Sequence, residues 1–267
     1  MKKNILAMII AVMCGVVNAA YLPLTEICDT EVESFSAKFQ GHNADDVVKE
    51  LKRIVTKKDD YESDSEYTER IEKALNTLPL SISSGGICVV EHNFGLSNTS
   101  YVANSKILWV NIFNRHIKIW VDGNNIHKDF RVFFSERNRR ESSYIGSNAF
   151  GVSTRVSKME RSATYITFDG ESTKKALLSA GFFEDDVYFS VPLEIPPVEA
   201  RALHGNVRVA YKYRLRLPYL GTYEEFETPK IDWPFESKER QTLVIADLRA
   251  VIVFDKKTGR ILKRINF

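Results

Sequence analysis

Three observations predict an α+β chain that is mainly β. Apolar residues recur with a period of two over most of residues 81–267, turn signals punctuate those runs, and single apolar stripes at helical spacing precede them. The expected architecture is an antiparallel β-sandwich or partly open barrel preceded by a helical N-terminal segment. The organisation that follows is a signal peptide over 1–19, a helical segment over 20–80, and a β-rich domain over 81–267 packed with it.

The chain opens with the positive Met1-Lys2-Lys3, an apolar run from Ile5 to Val17, and small residues at Val17 and Ala19. That is the secretory signal-peptide plan, with cleavage expected after Ala19. The apolar run, about 13 residues, falls short of the roughly 20 that a bilayer core demands. A lipid anchor on Cys14 fits badly, because bulky Met13 stands where a lipoprotein site wants a small residue. The expected address is the bacterial periplasm.

Three helices are expected next. Thr30 and Glu33 are spaced as a capping box, with Val32, Phe35 and Phe39 on one face and Gly41 at the end. Asn43 caps the second, with Asp45 and Asp46 in its first turn and Val47, Val48, Leu51, Ile54 and Val55 as its stripe. Ser63 and Glu66 box the third, whose stripe is Tyr67, Ile71, Ala74, Leu75 and Leu78 before Pro79.

Strands follow. Ile107–Phe113 and His116–Val121 flank Asn114-Arg115 and read as a tight hairpin, followed by the turn cluster Asp122–Asn125 and a strand at Phe130–Phe134. Ala149–Val156 and Ala163–Phe168 are strands, Glu171–Ala180 a short helix ended by Gly181, Val187–Leu193 a strand, and Pro197–Leu203 a helical turn or two. In Val207–Leu217, Val207, Val209, Tyr211, Tyr213, Leu215 and Leu217 alternate with a mostly basic row, so the rings are expected to face the core. Thr242–Phe254 is apolar on both faces and pairs with Arg260–Ile265 across a turn ending in Gly259. A porin strand would turn one polar face to its lumen, so an outer-membrane barrel is the weakest of the readings.

Without Lys2 and Lys3 the 37 Lys and Arg become 35, equal to the 35 Asp and Glu. Residues 20–80 carry 14 acids and 8 bases, a net of −6, and the remainder carries the compensating +6. A neutral, exported chain is a poor nucleic-acid binder, and no nucleic-acid partner is expected. Rings and cations on opposite faces of Val207–Leu217 also argue against a stacking platform.

Two cysteines outlast the leader, Cys28 and Cys88, and in an oxidising compartment they are expected to pair. Nucleophile elbows, phosphate loops and zinc-protease motifs are absent. The five histidines have no metal-ligand spacing, so neither a metal nor a cofactor is expected. Cys88, Glu91, His92 and Asn93 could bring thiol, carboxylate and imidazole together, but Ile87–Val90 reads as an apolar strand holding a buried or bonded cysteine. Glu184-Asp185-Asp186 is an acidic cluster that reads as a solvated loop. No catalytic residue is assigned.

Tyr61–Arg70, and Asn148-Ala149-Phe150-Gly151 followed by Val156, resemble short segments of exported bacterial proteins with a helix-then-sheet layout. That resemblance implies no activity and no functional residue. The stretch Tyr219–Phe235 reads as a long loop rich in rings, and Tyr219, Tyr223, Phe226, Trp233 and Phe235 are the candidate partner-binding residues. The expected function is a non-catalytic binding or assembly protein of the envelope, with an envelope protein or a glycan as partner. A hydrolase with a dispersed site and a small outer-membrane β-barrel are the alternatives.

Overall fold

The structure, a computed structural model, describes residues 21–91, 96–114, 117–121, 125–184 and 188–267. Residues 1–20, which hold the expected leader, lie outside the described residues, as do His92, Asn93, Asp185 and Asp186. Helices α1 (Ala44–Ile54), α2 (Asp64–Leu75) and α3 (Leu80–Ser83) come first. Strands β1 (Ile87–Val90), β2 (Thr99–Val102), β3 (Ile107–Asn114), β4 (Ile117–Val121), β5 (Asn125–Ser147) and β6 (Ser153–Asp169) follow. Then come α4 (Gly170–Ser179), β7 (Phe183–Glu184), β8 (Tyr188–Glu194), α5 (Pro197–Leu203), β9 (Val207–Glu227), β10 (Phe235–Asp255) and β11 (Ile261–Asn266).

Among the described residues the strands make two sheets. The larger runs β1-β9-β10-β6-β5-β4, with β11 also on β10, and the smaller runs β2-β3-β8-β7. Pairing is antiparallel except between β6 and β10, which run parallel from Ser157↔Phe235 to Phe168↔Ala246. The layout is a mainly β sandwich, not closed into a barrel. One core cluster joins Leu108, Val110 and Val191 of the small sheet to Val209, Tyr211 and Val244 of the large one. Phe130 meets Phe189 edge to face across the two sheets, with centroids 5.2 Å apart.

The capping chemistry of the second and third expected helices is present. Asn43 accepts from the Asp45 and Asp46 amides at the head of α1, and Ser63 with Glu66 closes a reciprocal box on α2. Val47, Val48, Leu51, Ile54 and Ile71 deliver their stripes to the main core. The first expected helix does not form. Residues 29–40 are instead an irregular strap whose backbone is taken by the β10–β11 turn. The Phe35 amide donates to Gly259 O at 2.9 Å, and the Ile261 amide to Glu33 O at 3.3 Å. Phe35 and Phe39 stack at 4.0 Å and cover Phe254 on the side of the large sheet away from the main core. Burying two rings and satisfying a turn outweighs the local helical pattern.

The expected hairpin of residues 107–121 does not form either. Both edges of β3 are occupied, by β2 and by β8, so β4 pairs with β5 in the other sheet. Val121 lies opposite Asn125 in the β4–β5 pair, and the rest of the expected turn cluster, residues 122–124, lies outside the described residues.

Cys28 and Cys88 form a disulfide across 60 residues, joining the strap to β1. His42 reinforces that junction. It is buried, its Nδ1 accepts from the Cys88 amide at 3.1 Å, and its Nε2 donates to Glu26 O at 3.0 Å. Gly41, at φ +66°, lets the chain pass so close that a Cβ would sit 2.7 Å from Cys88 O.

Val207, Val209, Tyr211, Tyr213 and Leu215 face the core as expected. Arg214 lies opposite Asp247, and Arg216 reaches Asp169 and Asp247 at 3.6 and 3.7 Å, so cross-strand carboxylates supply counter-charge. Thr242–Phe254 is buried on both faces, but its alternation breaks. A bulge between Leu248 and Ala250 sends Val251 and Val253 to the main core, and Ala250, Ile252 and Phe254 to the strap.

Candidate functional site

Four strands outrun the core. In β5, β6, β9 and β10 the residues near the sandwich are buried, whereas residues 139–147, 153–155 and 224–227 are largely exposed. These distal halves form a four-stranded arm. Because β6 and β10 are parallel, the β5–β6 and β9–β10 turns lie at the same end of it.

A polar ladder crosses the arm where it leaves the core. The Glu239 carboxylate is buried; it accepts from Tyr165 OH at 2.6 Å and from Arg161 Nε at 2.7 Å. Arg161 also donates to Glu136 at 3.2 Å. Arg131 lies 4.6 Å over the Tyr165 ring and donates to Gln241, which in turn donates to Glu225. Burial and the Glu239 charge together push the Tyr165 phenol far above its usual range, so it stays a neutral donor. Glu239, Arg161, Gln241, Arg131 and Glu225 thereby link β10, β6, β5 and β9.

Beyond the ladder the surface turns apolar at the tip. Phe150 is 92% exposed, Ile145 63%, Phe226 61% and Trp233 58%, with Val152 and Ile231 also half-open or more. Exposed rings at one end of an arm make a candidate contact surface. Trp233 is oriented by a bond from its Nε1 to Glu227 at 3.1 Å and by Phe235, 6.3 Å away. Lys238 lies 4.9 Å over the Phe226 ring.

The candidate residues therefore divide. Phe226, Trp233 and Phe235 sit together at the distal end of β9–β10, where Phe235 is half-buried. Tyr223 lies nearer the core and packs with Tyr165 and Leu243. Tyr219 is only 4% exposed and belongs to the main core. The stretch that reads as a long loop is mostly strand, since β9 continues to Glu227 and only residues 228–234 connect it to β10. A bulge at 216–219, with Tyr219 at φ 66°, swings that ring inward. Phe150, Val152 and Ile145 escape a search for ring-rich loops. The signal that could find them is a hairpin whose turn side chains are apolar where turns are ordinarily polar.

A second feature lies at the opposite end of the large sheet. Lys38, Phe39, Gln40, Glu91, Arg208 and Lys256 line a cavity of about 450 Å³. Burial raises the Glu91 carboxyl to about 7, against the hold of a 2.7 Å bond from Tyr211 OH. Among the described lining residues there is no second carboxylate, imidazole or thiol to share acid–base work with Glu91. Cys88 is committed to its disulfide, so it is no nucleophile. Glu184 pairs with Lys174 at 2.7 Å.

Comparison with family models, with curated proteins and with solved structures finds no match to this chain. The class that fold and site define is thus a structural one: a disulfide-tied, mainly β sandwich that carries a projecting four-stranded arm.

Proposed function

We propose that this is a non-catalytic binding or assembly protein of the bacterial envelope, acting through the end of its arm. The observation that carries the reading is the set of exposed apolar side chains toward that end, held out on a braced framework. Rigid presentation of rings limits the ordering cost of contact. A leader-like N-terminus and a disulfide agree with an extracytoplasmic address. No helix of the described residues is long and apolar enough to cross a membrane. The partner is an envelope protein or a glycan.

The test places a photo-crosslinking amino acid at Phe226 or Trp233 and irradiates intact cells. Discrete adducts are expected from both positions and not from Tyr61, a still more open ring on the strap-and-helix segment. Adducts no stronger than those from Tyr61 would overturn the reading.

A further inference from the structure

The β5–β6 apex differs from the rest of the arm in having no charge. Between Glu141 and Arg155 the sequence Ser-Ser-Tyr-Ile-Gly-Ser-Asn-Ala-Phe-Gly-Val-Ser-Thr contains no acid or base. Its apolar side chains, Phe150, Val152 and Ile145, are all more than half exposed. The β9–β10 connection, toward the same end but set back from the apex, is unlike this, with Glu227, Lys230 and Asp232 among its rings.

The apex also makes several hydrogen bonds of its own. The Asn148 amide donates to Val152 O, and the Gly151 amide to Asn148 O, each at 3.0 Å. The Asn148 side-chain oxygen accepts from the amides of Phe150 and Val152, both at 3.0 Å. The Ser147 and Ser153 hydroxyls bond each other at 2.6 Å. Such closure is common in exposed turns, and it also lowers the cost of carrying this turn into lipid, because hydrocarbon offers no partner to an open amide.

We propose that the β5–β6 apex inserts shallowly into a lipid bilayer, with Phe150 and Val152 as the penetrating groups. The inference rests on the arm-end reading above and names a lipid surface as an additional contact. Ile145 pairs with Arg155, and from that level to the turn is about three residue steps of about 3.3 Å, so the uncharged tip is about 10 Å deep. That matches the depth to which interfacial side chains sink. Arg155, which has no carboxylate partner among the described residues, marks the level of the headgroup phosphates.

The experiment is flotation of the leader-free protein with phosphatidylcholine vesicles and with mixed phosphatidylethanolamine–phosphatidylglycerol vesicles. The wild type is expected to float with the mixed vesicles. Phe150→Asp should lose binding at least about tenfold, since burying a charge replaces burying a ring. Its urea midpoint should stay unchanged, because the ring is so open. Phe150→Trp should keep binding and show indole quenching by bromolipids, whereas Tyr61→Asp should float like the wild type. Failure of the wild type to float with either vesicle, or flotation insensitive to Phe150→Asp, overturns the proposal. Crosslinks from Trp233 to a protein without flotation would leave the arm-end reading standing and remove only the lipid contact.

Discussion

Glu91 is the residue at which chemistry and stability meet. Its folded-state proton is held to about pH 7, whereas an unfolded glutamate releases it near 4.5. The folded form therefore binds more protons across that window, and stability falls as pH rises from about 4.5 to about 7. The loss is about 1–3 kcal/mol. Glu91→Gln keeps an acceptor for Tyr211 and cannot titrate, so its urea midpoints from pH 5 to 8 should lack this decline. Glu239 acts through its hydrogen bonds. Its carboxylate holds Tyr165 and Arg161, so Glu239→Ala strands a buried phenol and a guanidinium together. A loss of about 2–3 kcal/mol is expected, read from denaturant unfolding.

At the scale of elements the strap is the most instructive piece. Gly259 stands at φ +77°, and a Cβ there would lie 2.0 Å from Phe35 O. Gly259→Ala should lift the strap from the sheet and expose Phe35 and Phe39. Rapid proteolytic cleavage within residues 29–40, absent from the wild type, is the expected readout. The same strap shows where reading the sequence reaches its limit. Asn43 and Ser63 announce α1 and α2 because caps are local chemistry, written in adjacent residues. Thr30 and Glu33 carry an equally good local signal, overridden by a turn more than two hundred residues away. The hairpin expected at residues 107–121 fails for a similar reason, since β8, which takes the second edge of β3, comes much later. Core-facing alternation in Val207–Leu215 was legible, because period two needs no partner to be seen. The bulges that turn Tyr219 inward and switch the faces of β10 after Leu248 were not, since they answer to register across strands. Of the candidate site, Phe226 and Trp233 were visible as rings. The apex around Phe150 needed the sheet to show that both turns share one end.

For the whole molecule the disulfide is the main covalent restraint. It closes a loop across 60 residues and spans the strap, α1 and α2. The chain-entropy model assigns such a closure about 4 kcal/mol. Replacing Cys28 and Cys88 by Ser should lower unfolding stability by about that amount, measured against the oxidised protein in urea. The arm should be less affected than the strap, because its bracing runs through Glu239 and Arg161, far from the bridge.

The parallel ladder between β6 and β10 also sets a timetable. Ser157 cannot meet Phe235 until nearly eighty further residues have been made. During that interval β5 and β6 can pair, yet the other side of β6 is a bare row of amides and carbonyls. Such long-range closure is slow relative to local hairpins. The newborn chain thus passes through a stage with a sticky strand edge beside an uncharged, ring-bearing apex, and a holding chaperone has its clearest target there.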